Sequence, residues 1–190
     1  MGAYKETRMF IETESTPNPA TLKFLPGQTV MTKGTADFPS ADKAARSPLA
    51  SALFGIDGVV SVFLGSDFVS VSKHDHADWT NLKPQVLGAI MDHFTHNRPI
   101  LAEGAETGEA ETLDDEIVTK IKELLDTRIR PAVAQDGGDI IFRGFEDGTV
   151  YLHMQGACSG CPSSTATLKH GIENMLRYYV PEVQAVQAVE

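Results

Sequence analysis

The sequence predicts two small α+β domains joined by an acidic linker, on three observations. The chain of 190 residues is 42% hydrophobic and 22% charged, a globular composition with enough length for one ordinary domain or two small ones. Short β-rich runs and helical apolar stripes alternate along both halves. Residues 98–116, RPILAEGAETGEAETLDDE, carry seven acidic residues, no basic one after Arg98 and few bulky apolar groups. A stretch of that kind cannot bury enough surface to offset its ordering entropy, and its charges repel one another. The division predicted is therefore a first domain over residues 1–97, a flexible acidic linker over 98–112 and a second domain over 113–190. No internal repeat relates the two domains.

In the first domain, residues 9–11 and 21–25 read as short strands on either side of the turn-rich Ser15-Thr16-Pro17-Asn18-Pro19. Ser47 before Pro48 marks a helix start, with Leu49, Leu53 and Phe54 on its apolar face. Residues 59–64 and 68–72 are β-rich and joined by Gly65-Ser66-Asp67, a hairpin signal. Leu82, Val86, Ile90 and Phe94 recur at helical spacing over residues 80–96, with Pro84 placed in the first turn and Trp79 ahead of it as a packing anchor.

The second domain opens with Thr112, Asp114, Asp115 and Glu116, acidic and capping groups suited to a helix N-terminus. Ile117, Ile121, Leu124 and Ile129 form one stripe of that helix, which should stop near Asp136-Gly137-Gly138. Residues 140–145 and 150–154 flank Asp147-Gly148, a strongly preferred hairpin turn. After a loop to Cys161, Pro162 stands at a first helical position, with Leu168, Ile172, Met175 and Tyr179 as the core stripe and Pro181 as terminator. Val183, Val186 and Val189 suggest a last strand. The order is α-β-β-α-β, with the Cys-x-x-Cys loop before its second helix.

Several function classes are disfavoured by composition. A formal charge of -10 offers no general electrostatics for a phosphate backbone, so nucleic acid is not the expected partner. No apolar run reaches the roughly 18 residues needed to span a bilayer, and the start MGAYKETRMFIETEST has neither the apolar core of a secretion signal nor the acid-poor character of a transit peptide. The expected setting is cytoplasmic, with the mitochondrial matrix as the alternative for a processed form.

The chemistry points to two cysteines, Cys158 and Cys161, in Gly156-Ala157-Cys158-Ser159-Gly160-Cys161-Pro162. A helix N-terminus immediately after Cys161 favours thiolates through unpaired N–H groups and the dipole, and Gly156 and Gly160 let the backbone bend so that both sulfurs point one way. Three readings compete: a structural pair of thiols, a thioredoxin-like dithiol, and a metal or cluster site. Zinc and iron–sulfur clusters are usually held by four thiolates. This chain has two, so a pair of chains on a two-fold axis would supply the set.

The signature Gly156-Ala157-Cys158-Ser159-Gly160-Cys161-Pro162-Ser163-Ser164, continuing through TLKHGIENML, resembles that of the NifU C-terminal, or Nfu, domain. LLDTRIRPAVAQDGGDI, residues 124–140, is similar to the same family's helix and Gly-Gly turn. MFIETESTPNPATLKFLPG and RSPLASALFGIDGV, residues 9–27 and 46–59, resemble the N-terminal domain of two-domain Nfu proteins. The resemblance implies a non-enzymatic carrier or scaffold that binds a [4Fe–4S] cluster between two protomers through Cys158 and Cys161. It also implies an upstream cluster-assembly scaffold as donor, apo iron–sulfur proteins as recipients and a homodimer when loaded. The first domain, without cysteine, a glycine-rich phosphate loop or a carboxylate pair beside a nucleophile, is expected to dock or select clients. The linker would hold it as a flexible tether, a rigid inter-domain contact being the alternative.

The remaining candidates have modest roles. His74, His76, His93, His96, His153 and His170 are expected as solvated surface groups. For Asp136 and Asp139, positioning the cluster loop is one reading, and serving the glycine turn through side-chain to backbone hydrogen bonds is the one expected.

Overall fold

A computed structural model of the chain describes residues 10–102, 116–159 and 162–189, with side chains from 165 onward in the last segment. The first domain is a five-stranded antiparallel sheet of order β1-β2-β5-β4-β3, built from β1 (Glu12–Ser15), β2 (Thr21–Leu25), β3 (Ala36–Phe38), β4 (Val59–Leu64) and β5 (Val69–Lys73). Helices α1 (Ala41–Ala44), α2 (Pro48–Phe54) and α3 (Trp79–Thr95) complete it. Alternation along the strands turns Phe24, Val62, Leu64, Val69 and Val71 to one face, where they join Leu49, Leu53, Val86 and Ile90 of the helices in a single core.

The local chemistry agrees with much of the sequence reading. Ser47 caps α2 by accepting from the Ala50 N–H and also donates to the Ile100 carbonyl. The β4–β5 hairpin turns at Gly65-Ser66-Asp67. Trp79 packs against the core and its ring lies 6.4 Å from that of Phe24.

Other expectations are corrected. The first strand begins at Glu12, because its register pairs Glu12 with Leu25 and leaves Phe10 and Ile11 before it; residue 9 lies outside the described residues. The second β-run starts at Val69 rather than Phe68. Asp78 caps α3 one residue earlier than expected, so Pro84 stands sixth in the helix, past the first turn. His93 is not solvated: it faces inward on α3, 1% exposed. Strand β3 and helix α1 are short and carry no strong periodic signal in the sequence. Residues 98–102, assigned by composition to the linker, pack on the first domain, with Ile100 and Leu101 against its core and the Ala102 N–H donating to the Arg46 carbonyl. The expected flexible part, 103–112, and the capping group Thr112, Asp114 and Asp115 lie outside the described residues.

The second domain runs α4 (Glu116–Leu124), a π-helical turn (Leu125–Ile129), α5 (Arg130–Gln135), β6 (Gly138–Glu146), β7 (Thr149–Gly156), α6 (Pro162–Tyr179) and β8 (Ala185–Val189). β6 pairs antiparallel and β8 parallel with the central β7. The α-β-β-α-β order matches the sequence reading. Asp147 and Gly148 turn the hairpin with φ of 49° and 78°, the left-handed pair that an Asp-Gly turn supplies. The π-helical turn rotates the stripe, so Ile121, Leu125, Ile129 and Val133 are the buried positions and Leu124 is only partly buried. On α6 the buried line is Ile172 and Leu176, continued by Val180 just past the helix, and Tyr179 is 42% exposed.

The two domains touch. The outer face of the five-stranded sheet, which alternation gives to Lys23, Phe63 and Ser70, is buried rather than solvated. It lies on the second domain's glycine turn and the end of β7.

Candidate functional site

The Cys158 loop begins where β6 and β7 end together. Gly138 pairs with Gly156 across the ladder, and Gly156 turns the chain out of β7 with φ of 63°. The Ala157 N–H then donates to the Gly137 carbonyl and the Ser159 N–H to the Gly156 carbonyl. Thr165, in the second turn of α6, donates its hydroxyl to the Cys158 carbonyl at 3.3 Å. Cys158 is thus held between the hairpin end and the start of α6, as a free thiol.

Gly138 is the floor of this loop. A Cβ at that position would lie 2.5 Å from Cys158 Sγ, 2.8 Å from the Gln155 carbonyl oxygen and 3.0 Å from the Cys158 nitrogen. Only a residue without a side chain lets the sulfur settle there. Cys158 packs into the second core and is 7% exposed. Burial pushes its thiol up to about 12, and the nearby charges of Asp136 and Asp139 push in the same direction. In this conformation desolvation favours the thiol form of Cys158. Cys161 and Gly160 lie outside the described residues, so the expected alignment of two sulfurs is not described.

Asp139 does more than serve the turn. Its carboxylate accepts from the Ile140 N–H, as expected, but also from Arg130 Nε at 2.9 Å, Arg130 Nη2 at 2.8 Å and the Thr35 hydroxyl of the first domain at 2.8 Å. It is 3% exposed. The hydrogen bonds from Arg130 to Asp139 raise the pKa of the guanidinium above its ordinary value, outweighing burial. Asp136 is the C-cap residue of α5. The role of Arg130 and Thr35 was missed in the sequence, although Arg130 four residues after Asp126 is ion-pair spacing, and that pair does form at 3.0 Å.

The histidines do not converge. His74, His76, His96 and His170 are exposed, and His96 pairs with Asp92. His153 is half-buried with Nδ1 3.1 Å from the Val189 carbonyl oxygen. Both ring nitrogens of buried His93 lack a hydrogen-bond partner. No group of three or more His, Cys, Asp or Glu that could hold a metal ion occurs among the described residues, and no described helix is long and apolar enough to cross a membrane.

Comparison with known proteins fits this arrangement of domains. Residues 11–97 match the family described as "Scaffold protein Nfu/NifU N terminal" and residues 121–187 the "NifU-like domain". The chain is 55% identical over 183 residues to the human protein named "NFU1 iron-sulfur cluster scaffold homolog, mitochondrial", covering 95% of this chain and 72% of that one. The Drosophila ananassae protein of the same name is 55% identical over 184 residues, and there the match spans 64% of the relative's length. Among solved structures, a NifU-like protein from Saccharomyces cerevisiae aligns with a TM-score of 0.46 at 22% identity, over 54% of this chain and 99% of that one. With both domains matched in order and more than half of its residues identical to those relatives, the chain belongs to the two-domain Nfu family of iron–sulfur cluster scaffold proteins.

Proposed function

We propose that this protein carries a [4Fe–4S] cluster between two protomers, held by Cys158 and Cys161 of each, and passes it to apo iron–sulfur proteins. The observation that carries the reading is the position of Cys158 on a glycine-floored loop between a hairpin end and a helix start, in a chain with two cysteines in all. A four-thiolate site then needs two chains, and the cluster itself becomes part of an isologous interface. Ligation requires the thiolate, so loading must draw Cys158 out of its buried setting and release its proton. A cluster so placed is exposed to an incoming client's thiolates, which replace its ligands stepwise. This exchange needs no catalytic base, and we read the protein as a carrier rather than an enzyme.

The first domain and the acidic tether complete the proposal, the one selecting clients and the other keeping them at raised effective concentration. The upstream donor is a cluster-assembly scaffold. Bacterial cytoplasm and mitochondrial matrix are the two settings proposed, the second being the one in the relatives' names.

Anaerobic reconstitution with iron and sulfide, followed by metal and sulfide counts, absorbance and solution mass, tests the reading. About four irons and four sulfides per brown dimer are expected, and Cys158→Ser or Cys161→Ser should abolish both the cluster and the dimer. A single-serine variant that keeps a full cluster at full occupancy would contradict the ligation.

A further inference from the structure

We propose that the first domain is a cover for the cluster loop of its own chain, and that the cluster-bridged dimer forms only after this cover lifts. The inference rests on the carrier reading above and adds a regulatory contact to it. Among the described residues, four side-chain hydrogen bonds run from the first domain to the second, each donated by the first. Asn18 Nδ2 donates to the Ser159 carbonyl at 3.3 Å, Lys23 Nζ to the Gln135 carbonyl at 3.3 Å, Ser70 Oγ to the Gly137 carbonyl at 2.6 Å and Thr35 Oγ1 to Asp139 Oδ2 at 2.8 Å. Ser159 is the residue after Cys158 inside the Cys-x-x-Cys motif. A second protomer's loop, sharing a cluster on the same pair of cysteines, must approach the backbone that Asn18 occupies.

The contact extends from the loop to the hairpin end and glycine turn that hold it. Phe63, on the outer face of β4, sits over Gly156, where an added Cβ would lie 3.0 Å from its ring. An added Cβ at Gly137 would lie 2.8 Å from Ser70 Oγ and 3.1 Å from Thr16 Cγ2. Lys23 brings its ammonium to the carbonyl end of α5, where the helix dipole favours a cation. Its side chain is only 9% exposed in this docked state.

The chemistry of the face argues for a contact that opens. The inner face of the same sheet is built from Phe, Leu and Val, whereas the middle of the outer face presents Lys23 and Ser70, residue types that water accommodates without penalty once the face is bare. An interface made of polar donors with few apolar anchors resembles a separable inter-domain contact rather than a permanent core.

Lysine acylation mapped by mass spectrometry on the full chain, with cluster loading followed in parallel, tests this. Lys23 should be protected in the metal-free wild type, and reactive both in the cluster-loaded dimer and in Thr35→Glu, which sets a carboxylate against Asp139. Thr35 is half-buried on a loop before β3, so the substitution addresses the contact rather than a core, and Thr35→Ser should behave as wild type. Thr35→Glu should weaken docking about tenfold in each chain, the change expected when one charge-assisted bond is replaced by like-charge repulsion, and because both protomers must open it should form the loaded dimer more than tenfold faster. A loaded wild-type dimer with Lys23 still protected, or equal loading rates and equal Lys23 labelling in the two proteins, would overturn the cover. Failure of both proteins to take up iron and sulfide would overturn the carrier reading and the cover with it.

Discussion

Asp139 and Arg130 offer the sharpest test of what holds the second domain around its loop. Replacing Asp139 with Leu removes the acceptor of four hydrogen bonds, from Arg130 Nε and Nη2, Thr35 Oγ1 and the Ile140 N–H. Breaking a buried pair from one side costs about 3–5 kcal/mol, because the remaining charge has lost its partner. Two features place this case at the lower end. The Arg130 side chain is 25% exposed, and Asp126 still holds Nη1 at 3.0 Å, so water and a second carboxylate recover part of the loss. The expected cost is about 3 kcal/mol, a fall of about 2 M in urea midpoint for an m-value near 1.5 kcal/mol/M.

The assay exploits the single tryptophan. Trp79 lies in the first domain, so its fluorescence follows that domain, while far-UV circular dichroism follows both. Asp139→Leu should move the second-domain transition and leave the Trp79 transition within about 0.5–1.5 kcal/mol, the net value of the one Thr35 bond lost. Adding Arg130→Met replaces the pair with apolar groups and should restore at least about 1 kcal/mol relative to Asp139→Leu alone. A single variant within about 0.5 kcal/mol of wild type, or strict additivity in the double variant, would refute the reasoning.

Two further outcomes follow from buried groups. Burial, followed by the Arg98 charge, depresses the pKa of His93 below its ordinary value; the first domain should therefore hold its full stability above about pH 6.5 and lose it as pH falls, since the unfolded chain takes a proton that the buried ring refuses. His93→Leu should flatten that slope between pH 7 and pH 5 by Trp79 fluorescence, and an unchanged slope would show that His93 is not its source. Gly138→Ala should cost about 1–3 kcal/mol, because its Cβ meets Cys158 Sγ and two fixed backbone atoms, and should speed alkylation of Cys158 in the Cys161→Ser background; wild-type stability and alkylation rate together would show that the loop has room there.

What the sequence makes legible is what short-range chemistry decides. Ser47 with Pro48, Asp147 with Gly148 and the β-rich run over residues 59–64 each specify one local geometry, and each occurs as read. Where tertiary contacts decide, the sequence misleads. Strand β1, ETES, has no apolar alternation and exists through its ladder to β2; the π-helical turn shifts the buried stripe from Leu124 to Leu125. His93 looks like any polar residue near a helix end until α3 is seen to turn that position inward. The site divides in the same way. The motif around Cys158 is readable from its spacing, but burial and the neighbouring carboxylates that keep the thiol protonated come from a turn some twenty residues upstream. Polar Lys23 and Ser70 on a sheet face signal solvent, and only Phe63 beside them hints that the face is covered.

The proposed cover also has a quantitative consequence for a shared cluster. A ligand that binds only an undocked state sees its affinity lowered by the undocked fraction. Here two protomers must both open before four thiolates can converge, so the fraction enters twice. A docked state favoured about tenfold in each chain weakens the bridged dimer about a hundredfold, although no single contact between the domains is strong. A client or donor that engages the outer sheet face would lift the same penalty, because docking and occupancy are linked reciprocally. The polar character of that face is then a functional requirement: an apolar one would hold the cover shut, while no contact at all would leave the cluster too firmly shared to hand on.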